Sequence, residues 1–342
     1  MRLLHTSDWH LGQALHNYER TYEHQRFLDW LLDTIVAEQA DALLIAGDIF
    51  DTANPSSSAQ KQLYRFLREA RERSPQLDIV VIAGNHDSPG RLEAPAPLLE
   101  AHGTSVIGNV VRDADGAIEL DRLLVPLRGK DGEIAAWCLA VPFLRPGDVP
   151  RAEALEEGAD PYLNGIGLLY EQAFALARSK CADGHAIVAM GHCHMVDGQA
   201  SSDSERRIVI GGTEALPAGI FDPAIAYAAL GHLHLAQRVG QKEHVRYCGS
   251  PLPLSFAETG YKHQVVRVDL ADGKAVDVTP LIVPRSVELL RVPPQPAPLE
   301  EALAALEALD LADLPHELQP FLEVRVLLDA PEPGLRGRIE AA

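Results

Sequence analysis

Val80-Val81-Ile82-Ala83 runs directly into Gly84-Asn85-His86-Asp87, and this stretch decides how the chain is read. A short apolar, β-branched run predicts a buried strand, and the Gly after it lets the chain turn sharply at the strand end. Behind the Gly come an amide, an imidazole and a carboxylate. The design recurs. Leu43-Leu44-Ile45-Ala46 leads into Gly47-Asp48, Ile187-Val188-Ala189-Met190 into Gly191-His192, and Ala226-Tyr227-Ala228-Ala229-Leu230 into Gly231-His232-Leu233-His234. A fifth strand, Leu3-Leu4-His5, runs to Asp8-Trp9-His10. One Gly-His is more often structural than functional. Five strand ends that all carry Asp, Asn or His predict a metal centre at the carboxyl edge of a sheet, where α/β folds hold their ligands.

Outward from these corners, strands at 2–6, 42–46 and 79–83 alternate with helices at about 20–39 and 57–73 and a helical stretch to about 102. That alternation predicts a layered α/β domain. Short strands with Gly/Asp turns follow to about 145, including 134–141, then a long helix at about 161–181. Strands at 186–190, 207–211, 225–230, 235–239, 244–248, 263–269 and 276–283 have little helix between them, which predicts a mostly antiparallel second sheet packed on the first. The expected architecture is a four-layered sandwich, two mixed β-sheets flanked by helices. No internal repeat is present.

Val283-Pro284-Arg285 reads as a boundary, giving domains at 1–284 and 285–342. Past it come a strand at 286–292, a stiff Pro-rich connector at 293–298, a helix at 299–309 and a strand at 321–328. Ile339-Glu340-Ala341-Ala342 looks like the opening of another helix, so this small α+β unit reads as incomplete, in need of more chain or a partner to cover its sheet. With 5 Arg against 11 Asp and Glu, it is no basic nucleic-acid arm.

Composition excludes whole classes. The 342 residues are 46% apolar and 23% charged, which is ordinary for a globular protein and rules out disordered and fibrous chains. No apolar run reaches the roughly 18 residues of a membrane span, and the start lacks a secretory signal, so a cytoplasmic protein is expected. Four scattered cysteines, Cys138, Cys181, Cys193 and Cys248, form no Cys-x-x-Cys pair and read as buried small hydrophobes. A net charge of −19 opposes nucleic acid at long range, although bound divalent cations would reverse that locally.

Two carboxylates, one amide and four imidazoles make an O/N donor set. It suits Mn²⁺, Fe²⁺, Co²⁺ or Zn²⁺ better than Ca²⁺. Seven ligands are too many for one ion with open positions. They match two ions sharing a carboxylate about 3.5–4 Å apart, the arrangement used for in-line displacement at phosphorus. Gly191-His192-Cys193-His194 leaves a choice at one corner. If His192 turns into the site, His194 follows on the same side of an extended chain and Cys193 faces away.

Asp8-x-His10, Gly47-Asp48-x-x-Asp51, Gly84-Asn85-His86-Asp87, Gly191-His192 and Gly231-His232-x-His234 resemble the five motifs of calcineurin-like metallophosphoesterases. The stretches 5–13, 47–52, 141–146, 228–234 and 244–251 look more closely like the SbcD family, the nuclease subunits of bacterial SbcC–SbcD complexes. The likeness is strong over residues 1–284 and weak beyond. It implies one metal held by Asp8, His10, Asp48 and His234, and a second by Asp48, Asn85, His192 and His232. At the fourth motif the family uses only the His after Gly. His86 would serve as proton donor to the leaving 3′ oxygen or stabilise the transition state, its ring oriented by Asp51 or Asp87. The resemblance further implies Mn²⁺ as preferred ion, with Mg²⁺, Fe²⁺, Co²⁺ or Zn²⁺ as alternatives. It implies 3′–5′ exonuclease action on duplex ends and endonuclease action on single-stranded and hairpin DNA, in DNA repair, replication and recombination. The expected partners are DNA and an SbcC-like coiled-coil ATPase, with a homodimer at the centre of a heterotetramer, associated with the nucleoid.

Weaker candidates for substrate contact are His16, Tyr18 and Arg20 after the first motif, and Lys61 and Arg65 on one helix face. For each, a solvated surface is the competing reading. Glu69 and Glu72 favour it for the helix, and Trp9 and Phe50 read as packing supports. A small-molecule phosphodiesterase or a non-catalytic scaffold are the competing functions.

Overall fold

Period-two burial along the first strand sets the layering. In β1 (Arg2–Thr6), Leu3 joins one apolar cluster and Leu4 another, so both faces of the strand are covered. The computed structural model describes residues 1–151, 160–196, 198–200, 215–311 and 314–342. It forms two compact units, Met1–Val283 and Pro284–Ala342.

After β1 come a two-residue hairpin, β2 (Ala14–Leu15) and β3 (Tyr18–Glu19), then α1 (Thr21–Ala37), β4 (Ala42–Ala46), α2 (Ser57–Arg73), β5 (Asp78–Ile82), α3 (Pro89–Glu93), α4 (Ala96–Glu100) and β6 (Thr104–Ile107). Then follow β7 (Leu124–Arg128), β8 (Ile134–Ala140), α5 (Pro161–Lys180), β9 (Ala186–His192), β10 (Tyr227–Gly231), β11 (Gln237–Val239), β12 (Lys242–Tyr247), β13 (Gln264–Ala271) and β14 (Lys274–Ile282). One six-stranded sheet has the order β14-β13-β1-β4-β5-β6 and the other β11-β12-β10-β9-β8-β7.

Local chemistry explains the helices. α1 buries Phe27, Leu28, Leu31, Leu32 and Ile35 at helical spacing. Ser56 caps α2 by accepting the Ala59 N–H at 3.2 Å, and Asp160 caps α5 with Pro161 in its first turn. α1 and α2 cover one face of the first sheet through Phe27, Leu31, Phe66 and Leu67. The second cluster joins Leu44, Val80 and Ile82 to Leu139, Val188 and Leu230 of the other sheet and to Leu169 and Ala173 of α5. Helices, sheet, sheet and helix are therefore stacked as the sequence led us to expect.

The strand directions differ from expectation. β8, β9, β10 and β12 are parallel, and only the edge strands β7 and β11 are antiparallel. Their continuous apolar runs reflect burial on both faces, which parallel strands require. β13 and β14 pair with β1 and complete the first sheet. The strand expected at 207–211 lies outside the described residues. The helical stretch before residue 102 is split at Pro95 into α3 and α4.

In the second unit, β15 (Leu289–Arg291) pairs with β17 (Phe321–Glu323), and β16 (Ala297–Pro298) with β18 (Val326–Leu327). The Pro-rich stretch thus ends in a strand, and the strand expected over 321–328 is two short ones. α6 (Leu299–Glu307) and α7 (Leu335–Ala341) complete the unit. Among the described residues no helix is long and apolar enough to cross a membrane.

At the start of α1, Arg20 and Glu23 form a buried ion pair, with Nε to Oε2 at 2.7 Å and Nη2 to Oε1 at 2.5 Å. Arg20 is 1% exposed and Glu23 3%. Arg20→Ala strands the Glu23 carboxylate away from water, so the loss of unfolding free energy in urea titration should be about 3–5 kcal/mol.

Candidate metal centre

All five motifs fall at carboxyl ends of strands. Asp8 and His10 follow β1, Asp48 follows β4, Asn85 and His86 follow β5, His192 ends β9, and His232 and His234 follow β10. The loops are knitted by backbone bonds from Asp8 N–H to the Gly47 carbonyl (3.0 Å), His10 N–H to the Asp48 carbonyl (3.0 Å) and Leu11 N–H to the Ile49 carbonyl (2.9 Å). Asp8, His10, Asp48 and His232 have φ of 54°, 46°, 49° and 105°. L-residues rarely adopt that region, and such strain persists only where surrounding structure holds it.

The glycines serve a purpose beyond the turn. Gly47 does have φ +88°, but no such angle is found at Gly84, Gly191 or Gly231. A methyl group at Gly84 would overlap Asp48 Oδ1, and one at Gly231 would overlap the Ala46 carbonyl and approach His192 Nδ1. These positions are glycine because the ligand-bearing loops approach too closely for a Cβ.

The side chains converge. Ligand atoms of Asp8, His10 and His234 lie within 4.8 Å of one another, as do those of Asp8, Asp48 and His192, and those of His10, Asp48 and His86. Asn85 Oδ1 stands 2.9 Å from His192 Nε2 and 3.1 Å from His232 Nδ1. His232 N–H donates to both Asp8 oxygens, at 3.0 and 3.2 Å. All seven expected ligands therefore meet, over sequence separations above two hundred residues. His86 comes close too, its ring 4.8 Å from that of His10.

Neighbouring groups choose which nitrogen each imidazole presents. His192 Nδ1 bonds the Ala46 carbonyl at 2.9 Å, His10 Nδ1 the Asp51 carboxylate at 3.2 Å, and His234 Nδ1 the Glu258 carboxylate at 2.8 Å. Each leaves Nε2 for the cluster. His10 Nε2 is buried without a hydrogen-bond partner and is 3.6 Å from Asp48 Oδ2. A buried nitrogen left orphaned beside a carboxylate fits a site whose missing partner is a cation.

The ionisation of the site follows from crowding. Burial opposes charge on Asp48, yet His192, His10 and His86 hold its carboxyl well below the usual carboxylate range. Burial likewise disfavours the His192 imidazolium, but Asp48 at 3.4 Å outweighs it and the group is pushed up to about 9. Burial raises Asp8 and drives His232 well below its ordinary value.

Three expectations need correction. Asp87 does not face the His86 ring. Its buried carboxylate accepts backbone N–H groups of Ile49 (3.1 Å), Phe50 (2.9 Å) and Gly84 (2.8 Å), stapling two ligand loops together. Asp51 receives His86 Nδ1 through its main-chain carbonyl at 2.8 Å, while its carboxylate turns to His10. Arg20 points inward to Glu23, so it is no substrate contact. His16 and Tyr18 are exposed beside and within the β2–β3 hairpin, and Lys61 and Arg65 lie on the solvent face of α2, open to a substrate. His194 is half-buried with its ring 6.1 Å from that of His232, and Cys193 Sγ turns to Met195 Sδ at 3.7 Å.

Sequence reasoning missed Glu258 and Ser7. Ser7 Oγ bonds Asp8 Oδ2 at 2.5 Å and Cys248 Sγ at 3.0 Å. Ser7 adjoins Asp8 within the first motif and could have been considered. Glu258 lies 24 residues past His234 in an irregular segment, where no periodic signal marks it.

The chain matches the calcineurin-like phosphoesterase family over residues 1–236 and a type 5 capsule protein repressor C-terminal domain over 285–342. The SbcD subunit of the nuclease SbcCD from Rhodobacter capsulatus is 44% identical over 347 positions, spanning all of this chain and 84% of that protein. The SbcD subunit from Escherichia coli K12 is 39% identical, over 95% of this chain and 75% of its own length. That of Bacillus subtilis is 36% identical, over 80% and 67%.

Gly84→Ala should abolish tight divalent-ion binding in calorimetric titration and cost about 1–3 kcal/mol of stability through overpacking against Asp48. Because an ion must displace the His192 proton, apparent affinity should fall roughly tenfold per pH unit below about 9. Titrations in buffers of different ionisation enthalpy should report the released proton.

Proposed function

This chain belongs to the calcineurin-like phosphoesterases and, within them, to the SbcD family of SbcCD nuclease subunits, and on that premise we propose that it is a Mn²⁺-dependent DNA nuclease subunit. It is a hydrolase of phosphodiester bonds and binds divalent metal. The observation that carries the nuclease reading is the shared carboxylate: Asp48 belongs to two ligand groupings, as a residue serving two ions must.

In this reading Asp8, His10, Asp48 and His234 hold one ion, and Asp48, Asn85, His192 and His232 hold the other. Two bound cations would activate water and neutralise charge on the phosphoryl oxygens. The chain's own groups do the rest. His86 stands half-buried beside the cluster with Nδ1 held by the Asp51 carbonyl, which leaves Nε2 to give a proton to the departing 3′ oxygen. Its backbone N–H donates to Asp48 Oδ1 at 2.8 Å, so the acid and the shared carboxylate are fixed to each other. Held geometry of this kind removes reorganisation from the reaction step. The names of the relatives support duplex-end and hairpin DNA as substrate and an SbcC-like ATPase as partner, around a homodimer of this chain. An ATPase that supplied the DNA-binding surface would also offset the net −19 charge.

Incubation with Mn²⁺ and linear duplex, hairpin DNA and a small phosphodiester in parallel tests the substrate class, and rapid turnover of the small ester alone would overturn it. His86→Gln should keep metal bound while turnover of DNA falls by roughly 10²–10⁴. Asp48→Asn should lose metal and activity together, and full occupancy in that variant would remove its bridging role.

A further inference from the structure

We propose that Glu258 is the positioning residue for His234, and that Arg20 and Gln13 hold the loop that carries it. The inference deepens the metal reading above and rests on it. Glu258 is fully buried, at 0% exposure, in a segment that the five motifs do not include. A carboxylate withdrawn from water is costly unless both oxygens are satisfied, and an apolar residue would fill the space without that cost. Here both oxygens are committed. Oε1 meets His234 Nδ1 at 2.8 Å, and Oε2 accepts the Leu254 N–H at 2.7 Å. The proton of the His234 ring is thereby kept on Nδ1, and the Nε2 lone pair is turned to Asp8 and His10. A carboxylate behind a ligating imidazole fixes its tautomer and makes the other nitrogen a better donor.

The loop is itself anchored from the opposite side. Arg20 Nη1 donates to the Pro253 carbonyl at 2.6 Å and to Gln13 Oε1 at 3.0 Å, and Gln13 Nε2 donates to the Leu254 carbonyl at 2.9 Å. Leu254 therefore has its carbonyl held by Gln13 and its N–H by Glu258. A continuous chain of bonds runs from Glu23 through Arg20, Gln13, Leu254 and Glu258 to His234. Arg20 serves the site through this chain without touching substrate. That accounts for a buried guanidinium at a position where the sequence suggested an exposed one.

The test is manganese titration of the full chain by calorimetry, with low-temperature electron paramagnetic resonance of the loaded protein. Glu258→Ala should weaken binding of one of two ions by about 10–100-fold, and the spectrum should change from that of a coupled pair to that of isolated Mn²⁺. Glu258→Gln keeps the shape but cannot accept from both His234 and Leu254, so it should lose affinity in the same direction with metal-free melting close to wild type. Arg20→Lys cannot span Glu23, Gln13 and Pro253 and should show a smaller loss of the same ion. Wild-type affinity and a coupled spectrum in Glu258→Gln, with two ions bound by the wild type, would overturn this proposal alone. A wild-type chain that bound no manganese would overturn both it and the function it rests on.

Discussion

A carboxylate kept charged while buried is the constraint around which the first unit is arranged. Asp48 is 2% exposed, and its Oδ1 accepts the backbone N–H of His86 while Oδ2 faces His10 and His192. Burial of one anion among three imidazoles costs too much to be incidental, because an unpaired charge in this environment would protonate or recruit a counter-ion. The orphaned His10 nitrogen beside it says the same from the cationic side. A site of this composition is stable only as a polar cluster whose members answer one another, with the proposed divalent ions as its complement.

Holding five loops at such separation demands steric concessions. Four of the proposed ligands sit in left-handed backbone conformations, and the glycines beside them leave no room for a methyl group. The staples that keep the loops in register are equally specific. Asp87 ties the loop after β4 to the loop after β5, and Glu258 and the Asp51 carboxylate each fix an imidazole. These three carboxylates define the precision of the centre without any of them belonging to the expected ligand set. The same logic places strain where the chemistry is and regular packing elsewhere.

The two sheets explain how that precision is supported. Parallel strands β1, β4 and β5 on one side and β9 and β10 on the other end at the same level, so their carboxyl ends deliver side chains to one place from two rigid supports. Apolar residues between the sheets lock their separation. Hydrolysis at phosphorus gains most from fixed position and charge, which is what two interlocked sheets provide.

Amino-acid order alone determined the strand–Gly–ligand corners, the layered class and the seven side chains that meet, because each is a local pattern with a short-range physical signature. A buried apolar run ending in Gly-Asp or Gly-His can be recognised without knowing what lies opposite. Strand direction could not be recognised, since β8, β9, β10 and β12 look alike whether paired parallel or antiparallel, and only the crossover of α5 decides. The role of Asp87 was likewise hidden: adjacent in sequence to His86, it faces the opposite way once β4 and β5 lie side by side. Arg20 looked like a surface cation until the Pro253 loop closed over it. Glu258 had no local mark at all. Those assignments belong to tertiary structure because each depends on which distant backbone group occupies a side chain's hydrogen bonds, and that is settled only when the sheets have packed.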